Sequence, residues 1–186
     1  STYGWQLWLG YTVQQSATEN KSTIALELMI YCGTGDSYNQ NANSCYYVLQ
    51  GAKVWSPYSY GAKAWYKLGT RTVTVDHDEA GKASVTLSAS WHSGFTSQWT
   101  PATLTVSQKI TLPDIPRASS VSGELVLGRK GTLRIAAASS DFTHDITAKC
   151  GTARVTVCTG AAASAEWTPP IAWASQNTKG KTVDVA

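Results

Sequence analysis

Between Thr23 and Tyr31 every second residue is a large aliphatic: Ile24, Leu26, Leu28 and Ile30, with Glu27 among the residues between them. A period of two places alternate side chains on opposite faces of an extended strand. The pattern recurs along the chain. Trp5, Leu7, Leu9, Tyr11 and Val13 alternate with Gln6, Trp8, Gly10, Thr12 and Gln14. Val85, Leu87, Ala89 and Trp91 alternate with Ser84, Thr86, Ser88 and Ser90, and Leu104, Val106, Ile110 and Leu112 form a further inward set. Tyr46–Gln50 and Thr72–Asp76 are shorter versions. No window of helical length carries a 3.6-residue period. Six or seven short strands with turns between them predict an all-β first module, a β-sandwich or jelly roll. Trp5, Tyr11 and Trp91 are expected in its core.

A second strand-rich stretch follows: Val121–Leu127, Thr132–Ala138, Thr143–Cys150 and Ala153–Cys158, punctuated by Gly128, Gly131 and Gly151. Leu112-Pro113-Asp114-Ile115-Pro116-Arg117 separates the two. Its prolines fix φ and restrict the residues before them, so it reads as a stiff extended connector. Charge supports the boundary. Residues 1–115 carry seven basic and seven acidic side chains, whereas 116–186 carry eight and five, which supplies the whole net charge of +3. The expected organisation is a sandwich over 1–112, a connector over 113–117 and a small β module over 118–186. The last is short for a sandwich and is expected to be minimal or to continue past Ala186.

The balance of charge is too even, and its arginines too scattered, to predict a nucleic-acid partner. No apolar run reaches the ~20 residues a membrane helix needs, and no signal-peptide pattern opens the sequence. Four cysteines, at 32, 45, 150 and 158, allow three pairings. Each pair within a module is sterically reasonable by its flanking turn, and four free thiols is the alternative. No CxxC and no suitable His spacing predicts zinc. Asp76, Asp78 and Glu79 crowd one turn, which reads as a solvated hairpin rather than a calcium loop. No cofactor is expected.

Chemistry for catalysis is sparse. Three histidines stand at 77, 92 and 144, with no Gly-x-Ser-x-Gly elbow and no His-Glu-x-x-His. A glycan hydrolase, which needs two facing carboxylates, is the weakest reading. Binding is better supported. Eight Trp and nine Tyr stand against two Phe, and all the Tyr precede residue 67. Such rings offer a flat apolar face with a polar handle, which suits the C–H faces of sugars. The candidate ligand-binding residues are Trp55, Tyr58, Tyr60 and Trp65 in one aromatic stretch, Trp99 in a second loop, and Asp36, Asn39 and Asn41 in a third. They form one platform if the three loops meet at one end of the sandwich. The competing expectation is that Trp55 and Trp65 cap the open ends of that sandwich.

One series of motifs runs the length of the chain: Trp5–Val13, Asn20–Ile24, Val73-Thr74-Val75-Asp76-His77-Asp78 with Gly81, the connector Leu112–Ser119, Leu127-Gly128 and Phe142-Thr143-His144-Asp145-Ile146. It resembles a family of structural proteins of tailed bacteriophages and prophages of the long, non-contractile-tail type. The resemblance implies an N-terminal β-sandwich, a Leu-Pro-x-Ile-Pro-Arg-Ala-Ser connector and an Ig-like domain. It implies a virion protein, on the tail or capsid surface, that is extracellular when mature and carries no catalytic motif. Its expected partners are a host-surface or mucosal glycan and other virion proteins or further copies of itself. A purely architectural scaffold is the alternative. The cysteines and the loops 33–44 and 55–66 depart from the family pattern.

Overall fold

The computed structural model describes residues 4–40, 44–94, 97, 99–176 and 184–185. The chain is all-β and divides into two compact units, Ser1–Ile115 and Pro116–Ala186.

The first unit holds two antiparallel sheets. One is β1 (Gln6–Ser16), β2 (Lys21–Cys32) and β7 (Ala64–Asp76), with β2 central. The other takes the order β5 (Ala52–Trp55), β4 (Tyr46–Leu49), β8 (Ser84–His92) and β9 (Thr103–Thr111). A two-stranded ribbon of β3 (Tyr38–Gln40) and β6 (Tyr58–Tyr60) completes it. The alternation in β2 is realised closely: Ile24, Leu26, Leu28 and Ile30 are buried, and so are Leu87, Ala89 and Trp91 of β8. At about 25 cal/mol per Å² of apolar surface, these two inward rows are the main source of the unit's stability.

Tyr11 departs from its expected place. It is 46% exposed, because β1 is an edge strand and its inner face is covered from one side only. A bulge breaks the β2–β7 register between Leu28, opposite Gly69, and Met29, opposite Lys67. Gly69 belongs there sterically: a Cβ on it would overlap the Tyr47 phenol that occupies the space.

One end of the core is aromatic. Trp5 and Trp91 stack at 5.4 Å and 15°, and Tyr58 and Tyr60 stack at 4.5 Å and 13°. Tyr60 also meets Tyr66 at 4.6 Å, and Trp5 meets Tyr38 edge-on at 5.9 Å. Two of the phenols are hydrogen-bonded at their polar ends: Tyr58 Oη donates to the Ser93 carbonyl (3.2 Å), and the Gly61 N–H donates to Tyr66 Oη (2.6 Å).

Leu112 and Ile115, the apolar residues on either side of Pro113-Asp114, are both buried in the first unit. Their N–H groups donate to Ala83 O (3.0 Å) and Gly81 O (2.9 Å), and Gln15 Nε2 donates to Pro113 O at 2.7 Å. The segment 112–115 is therefore fastened to the sandwich, and the division falls after Ile115.

The second unit has two three-stranded antiparallel sheets. One orders β10 (Ser120–Ser122), β11 (Gly131–Ala136) and β14 (Ser164–Trp167). The other orders β13 (Ala153–Ala161), β12 (His144–Cys150) and β15 (Asp184–Val185). Leu133, Ile135, Ile146 and Ala165 form one core cluster, and Ala148, Cys150 and Trp173 a second. A short 3₁₀ turn, Ile171–Gln176, carries Trp173 against Trp167 at 5.5 Å.

The four cysteines are thiols that form no disulfide with one another. A Cys150–Cys158 bridge conflicts with the strand register. Cys150 faces Ala153, while Cys158 faces Ile146 at the far end of the same hairpin. Four residues at ~3.3 Å per residue separate the two rows by about 13 Å, well beyond the Cα reach of a disulfide.

Candidate functional site

The expected single platform does not form. Tyr58 and Tyr60 are only 6% and 5% exposed, because β6 pairs with β3 and turns both rings into the aromatic core. They close the sandwich end, the part the sequence reading gave to Trp55 and Trp65 as its competing expectation. Burial pushes both phenols well above their ordinary pKa, with the neighbouring thiols and, for Tyr60, Tyr58 adding to the effect.

Trp55 and Trp65, by contrast, are 55% and 46% exposed. Trp55 pairs with Tyr46 in the second sheet, and Trp65 pairs with Tyr31 in the first. They stand on the outer faces of two different sheets and cannot contact one small ligand together. Asp36 and Asn39 are exposed, Asn39 opposite Ser59 in the β3–β6 ribbon. Trp99 is 49% exposed, and its carbonyl accepts a hydrogen bond from Trp5 Nε1 at 3.1 Å. The loops carrying Asp36 and Trp99 thus reach the same aromatic end through Trp5. Asn41 lies outside the described residues.

The structure assembles a different constellation on the outer face of the β1–β2–β7 sheet. Register gives its rows: Gln6, Tyr31 and Trp65; then Trp8, Met29 and Lys67; then Gly10, Glu27 and Thr70; then Thr12, Ala25 and Thr72. Trp8 and Trp65 lie on the two edge strands. Strand spacing sets those strands about 10 Å apart, with Met29 and Tyr31 between them. Tyr31 and Trp65 are in ring contact at 5.2 Å and 45°.

Gly10 explains the posture of Trp8. A Cβ built on Gly10 would overlap the six-membered ring of Trp8. The indole therefore lies along the strand over a backbone that has no side chain. Trp8 is 49% exposed, as expected for a ring packed on one face and open on the other. Beyond it the small residues Gly10, Ala25 and Thr12 leave an open groove of about 500 Å³. Polar side chains rim this groove: Glu27, Thr70 and Thr72, with Lys67 bonded to Glu27 at 2.6 Å. Flat ring faces beside hydroxyl and carboxylate groups can bind a ligand that is apolar on its faces and hydroxylated at its edges.

Trp8 was visible in the sequence as an aromatic on the wrong side of its strand. Its significance was hidden, because β7 was expected only from Thr72 onward. Extending β7 back to Ala64 is what puts Trp65 on the same face.

A second pair escaped the sequence reading altogether. Ser22 Oγ and His77 Nε2 are 2.7 Å apart, and His77 Nδ1 lies 2.7 Å from Gly81 O. The carbonyl can only accept, so Nδ1 carries the proton and Ser22 donates to Nε2. This is the geometry of a nucleophile and its base, yet Ser22 is wholly buried and His77 nearly so. The pair holds a turn. Asp78 Oδ1 accepts from the Ala80 and Lys82 N–H groups, Asn20 Nδ2 donates to His77 O and Asp78 O, and Asp76 meets Lys21 at 3.4 Å. The second unit repeats the device: His144 Nε2 bonds Ser119 Oγ at 2.8 Å, with Nδ1 3.2 Å from Ala161 O. Among the described residues, no group of three or more His, Cys, Asp or Glu side chains is placed to hold a metal.

A family model described as "Siphovirus protein of unknown function" matches residues 1–183 of the 186. The chain belongs to this siphovirus protein family. No curated protein and no solved structure matches it. The siphovirus protein is thus a bacteriophage protein. Several of its recognisable motif residues prove to be the anchors just described. His77 and Gly81 fasten the turn and Ile115, while His144 fastens Ser119.

Proposed function

We propose that this siphovirus protein is a non-enzymatic structural component of the phage particle, on its tail or capsid surface. Its first unit binds a host-surface or mucosal carbohydrate through Trp8 and Trp65. Its second unit is an Ig-like spacer. The observation that carries the reading is the Trp8 indole laid flat over Gly10 beside a hydroxyl-rich groove. A sugar ring stacks on the exposed indole face, and its hydroxyls exchange hydrogen bonds with Glu27, Thr70 and Thr72. The rings sit on rigid strands, so little conformational freedom is lost on binding. A structural rather than catalytic role for the Ser22–His77 pair accords with its enclosure in the core.

A glycan array probed with the purified chain tests this reading. Binding to a defined set of neutral glycans is expected. A blank array would sink it.

The architectural alternative has one observation in its favour: Trp8, Met29 and Trp65 line a second, more apolar hollow on the same face. It expects that face to be covered by another virion protein or by a second copy. A concentration-dependent mass in sedimentation, abolished by Trp65→Ala, together with a blank array, would favour it over carbohydrate binding.

A further inference from the structure

The outer face of the other sheet carries a separate aromatic cluster with a different chemistry. One row reads Trp55, Tyr46, His92 and Thr103 across β5, β4, β8 and β9; the next reads Lys53, Val48, Ser90 and Thr105. Tyr46 stacks on His92 at 4.2 Å and 18°, and meets Trp55 edge-on at 5.3 Å. Lys53 Nζ sits 3.8 Å from the Tyr46 ring centroid and 4.1 Å from that of Trp55. Both nitrogens of His92 are engaged by hydroxyls: Ser90 Oγ at 3.1 Å and Thr103 Oγ1 at 3.0 Å.

Two features distinguish this cluster from a stacking platform alone. The Lys53 ammonium is held by two ring faces, so it is already ordered before any ligand arrives. Among the described residues no carboxylate lies within ion-pair distance of it. The rings attract the ammonium but offer it no hydrogen-bond acceptor, so its N–H donors remain available to an anion. One fixed positive charge matches one monovalent anion. The cluster also holds an exposed indole, Trp55, and, through His92, the hydroxyls of Ser90 and Thr103.

We infer that the Tyr46–Lys53–Trp55–His92 cluster is a second binding site, for a sugar bearing a single carboxylate. The carboxylate pairs with Lys53 Nζ and the sugar ring packs against Trp55. The site is independent of the Trp8–Trp65 face, since it lies on the opposite sheet and shares no residue with it. Burial and the nearby Lys53 charge both hold the His92 pKa below its ordinary 6.5. Neutralising Lys53 with a bound carboxylate relieves the second cause, so ligand binding is expected to raise it.

The test is calorimetric titration of the full chain with a galacturonate oligosaccharide, a galactose oligosaccharide of equal length and dextran sulfate. The galacturonate oligomer is expected to bind, more weakly as salt is raised. In the Trp8→Ala/Trp65→Ala variant, which lacks the first face, the neutral oligomer is expected to bind at least about tenfold more weakly than the galacturonate oligomer, a difference of ~1.4 kcal/mol. Lys53→Met and Trp55→Ala should each weaken galacturonate binding by a similar factor, with Lys53→Arg restoring it. Trp8→Ala and Trp65→Ala should leave it unchanged, which separates failure of this site from failure of the first. Proton NMR of His92 supplies a readout that a misfolded variant cannot mimic. Its titration midpoint should rise on adding galacturonate to the wild type and stay put in Lys53→Met. Equal binding of the neutral oligomer by the Trp8→Ala/Trp65→Ala variant, preference of that variant for dextran sulfate, unchanged binding by Lys53→Met, or no binding of galacturonate would each overturn the inference.

Discussion

The imidazole Nδ1 of His77 and the backbone N–H of Ile115 both bond the same acceptor, the carbonyl oxygen of Gly81, at 2.7 and 2.9 Å. With Ser22 on the other side of the ring at 2.7 Å, a hydrogen-bonded chain runs from the start of the central strand of the first sheet, through a turn, to the connector. Ser22→Ala leaves the buried His77 Nε2 without a donor, which costs about 1–3 kcal/mol. His77→Ala removes both bonds and should cost at least as much. Urea unfolding of the first unit is the measurement. If Ser22 instead served a hydrolase, its loss would remove a hydrolytic activity and leave the unfolding midpoint in place.

The buried and exposed rings should separate cleanly on mutation. Tyr60→Ala removes a core ring that touches Trp5, Tyr58, Tyr66 and Trp91, and is expected to destabilise by about 3–5 kcal/mol. Trp65→Ala and Trp99→Ala remove exposed rings and are expected to change stability by less than about 1 kcal/mol. Thermal unfolding followed by circular dichroism ranks them. A Tyr60→Ala variant as stable as the parent would mean that β6 does not close the sandwich end.

These rings also show what could be read in advance. Period-two alternation located the long strands and the Leu, Ile and Trp91 core, because a half-buried strand imposes that pattern wherever one face meets solvent. It failed where strands are very short. Tyr58-Ser59-Tyr60 alternates too, but three residues among Pro57 and Gly61 look like a loop until β3 is there to pair with them. It also failed at Leu68-Gly69, where the bulge inverts the phase of β7 and hides its first half, Trp65 included. The site was mis-assembled for the same reason. Which outer face an aromatic joins depends on the sheet its strand enters, and that is a long-range pairing no local window contains. Ser22 and His77 are 55 positions apart, and nothing in either neighbourhood announces the other.

Gly10 is the glycine whose replacement should act on binding rather than folding. Gly10→Ala adds a methyl where the Trp8 ring now lies and forces the indole to stand away from the sheet. The backbone at this position is ordinary strand, so stability is expected to hold or to rise slightly. Affinity for a stacked sugar is expected to fall about tenfold, ~1.4 kcal/mol, within the worth of one aromatic contact. Tryptophan fluorescence reports both the ring's new exposure and the loss of quenching by ligand.

His92 supplies a pH signature. Burial first, and Lys53 second, keep its folded-state pKa below the unfolded 6.5. The folded protein therefore binds fewer protons than the unfolded chain in this range. The His92 contribution to stability is fully present above about pH 6.5 and is lost as pH falls below that value toward the folded pKa. Lys53→Met should move the His92 midpoint upward without restoring the ordinary value, since burial remains. NMR titration of the ring protons checks both statements.

Cysteine chemistry should follow the strand register. Mild oxidation of the folded chain is expected to give no Cys150–Cys158 bond, because their rows stand about 13 Å apart. The same treatment in denaturant should allow it. Peptide mapping by mass spectrometry decides, and a Cys150–Cys158 bond formed in native protein would contradict the β12–β13 register.

The central claim is that Trp8 and Trp65 form the carbohydrate-binding face. Its most direct test compares wild type, the Trp8→Ala/Trp65→Ala double variant and Trp99→Ala on one neutral glycan selected from an array, with affinity measured by calorimetry. The double variant is predicted to lose binding by about a hundredfold or more, ~2.7 kcal/mol for two stacking contacts, while Trp99→Ala binds as wild type does. Undiminished binding by the double variant, with its fold intact by circular dichroism, would contradict the account.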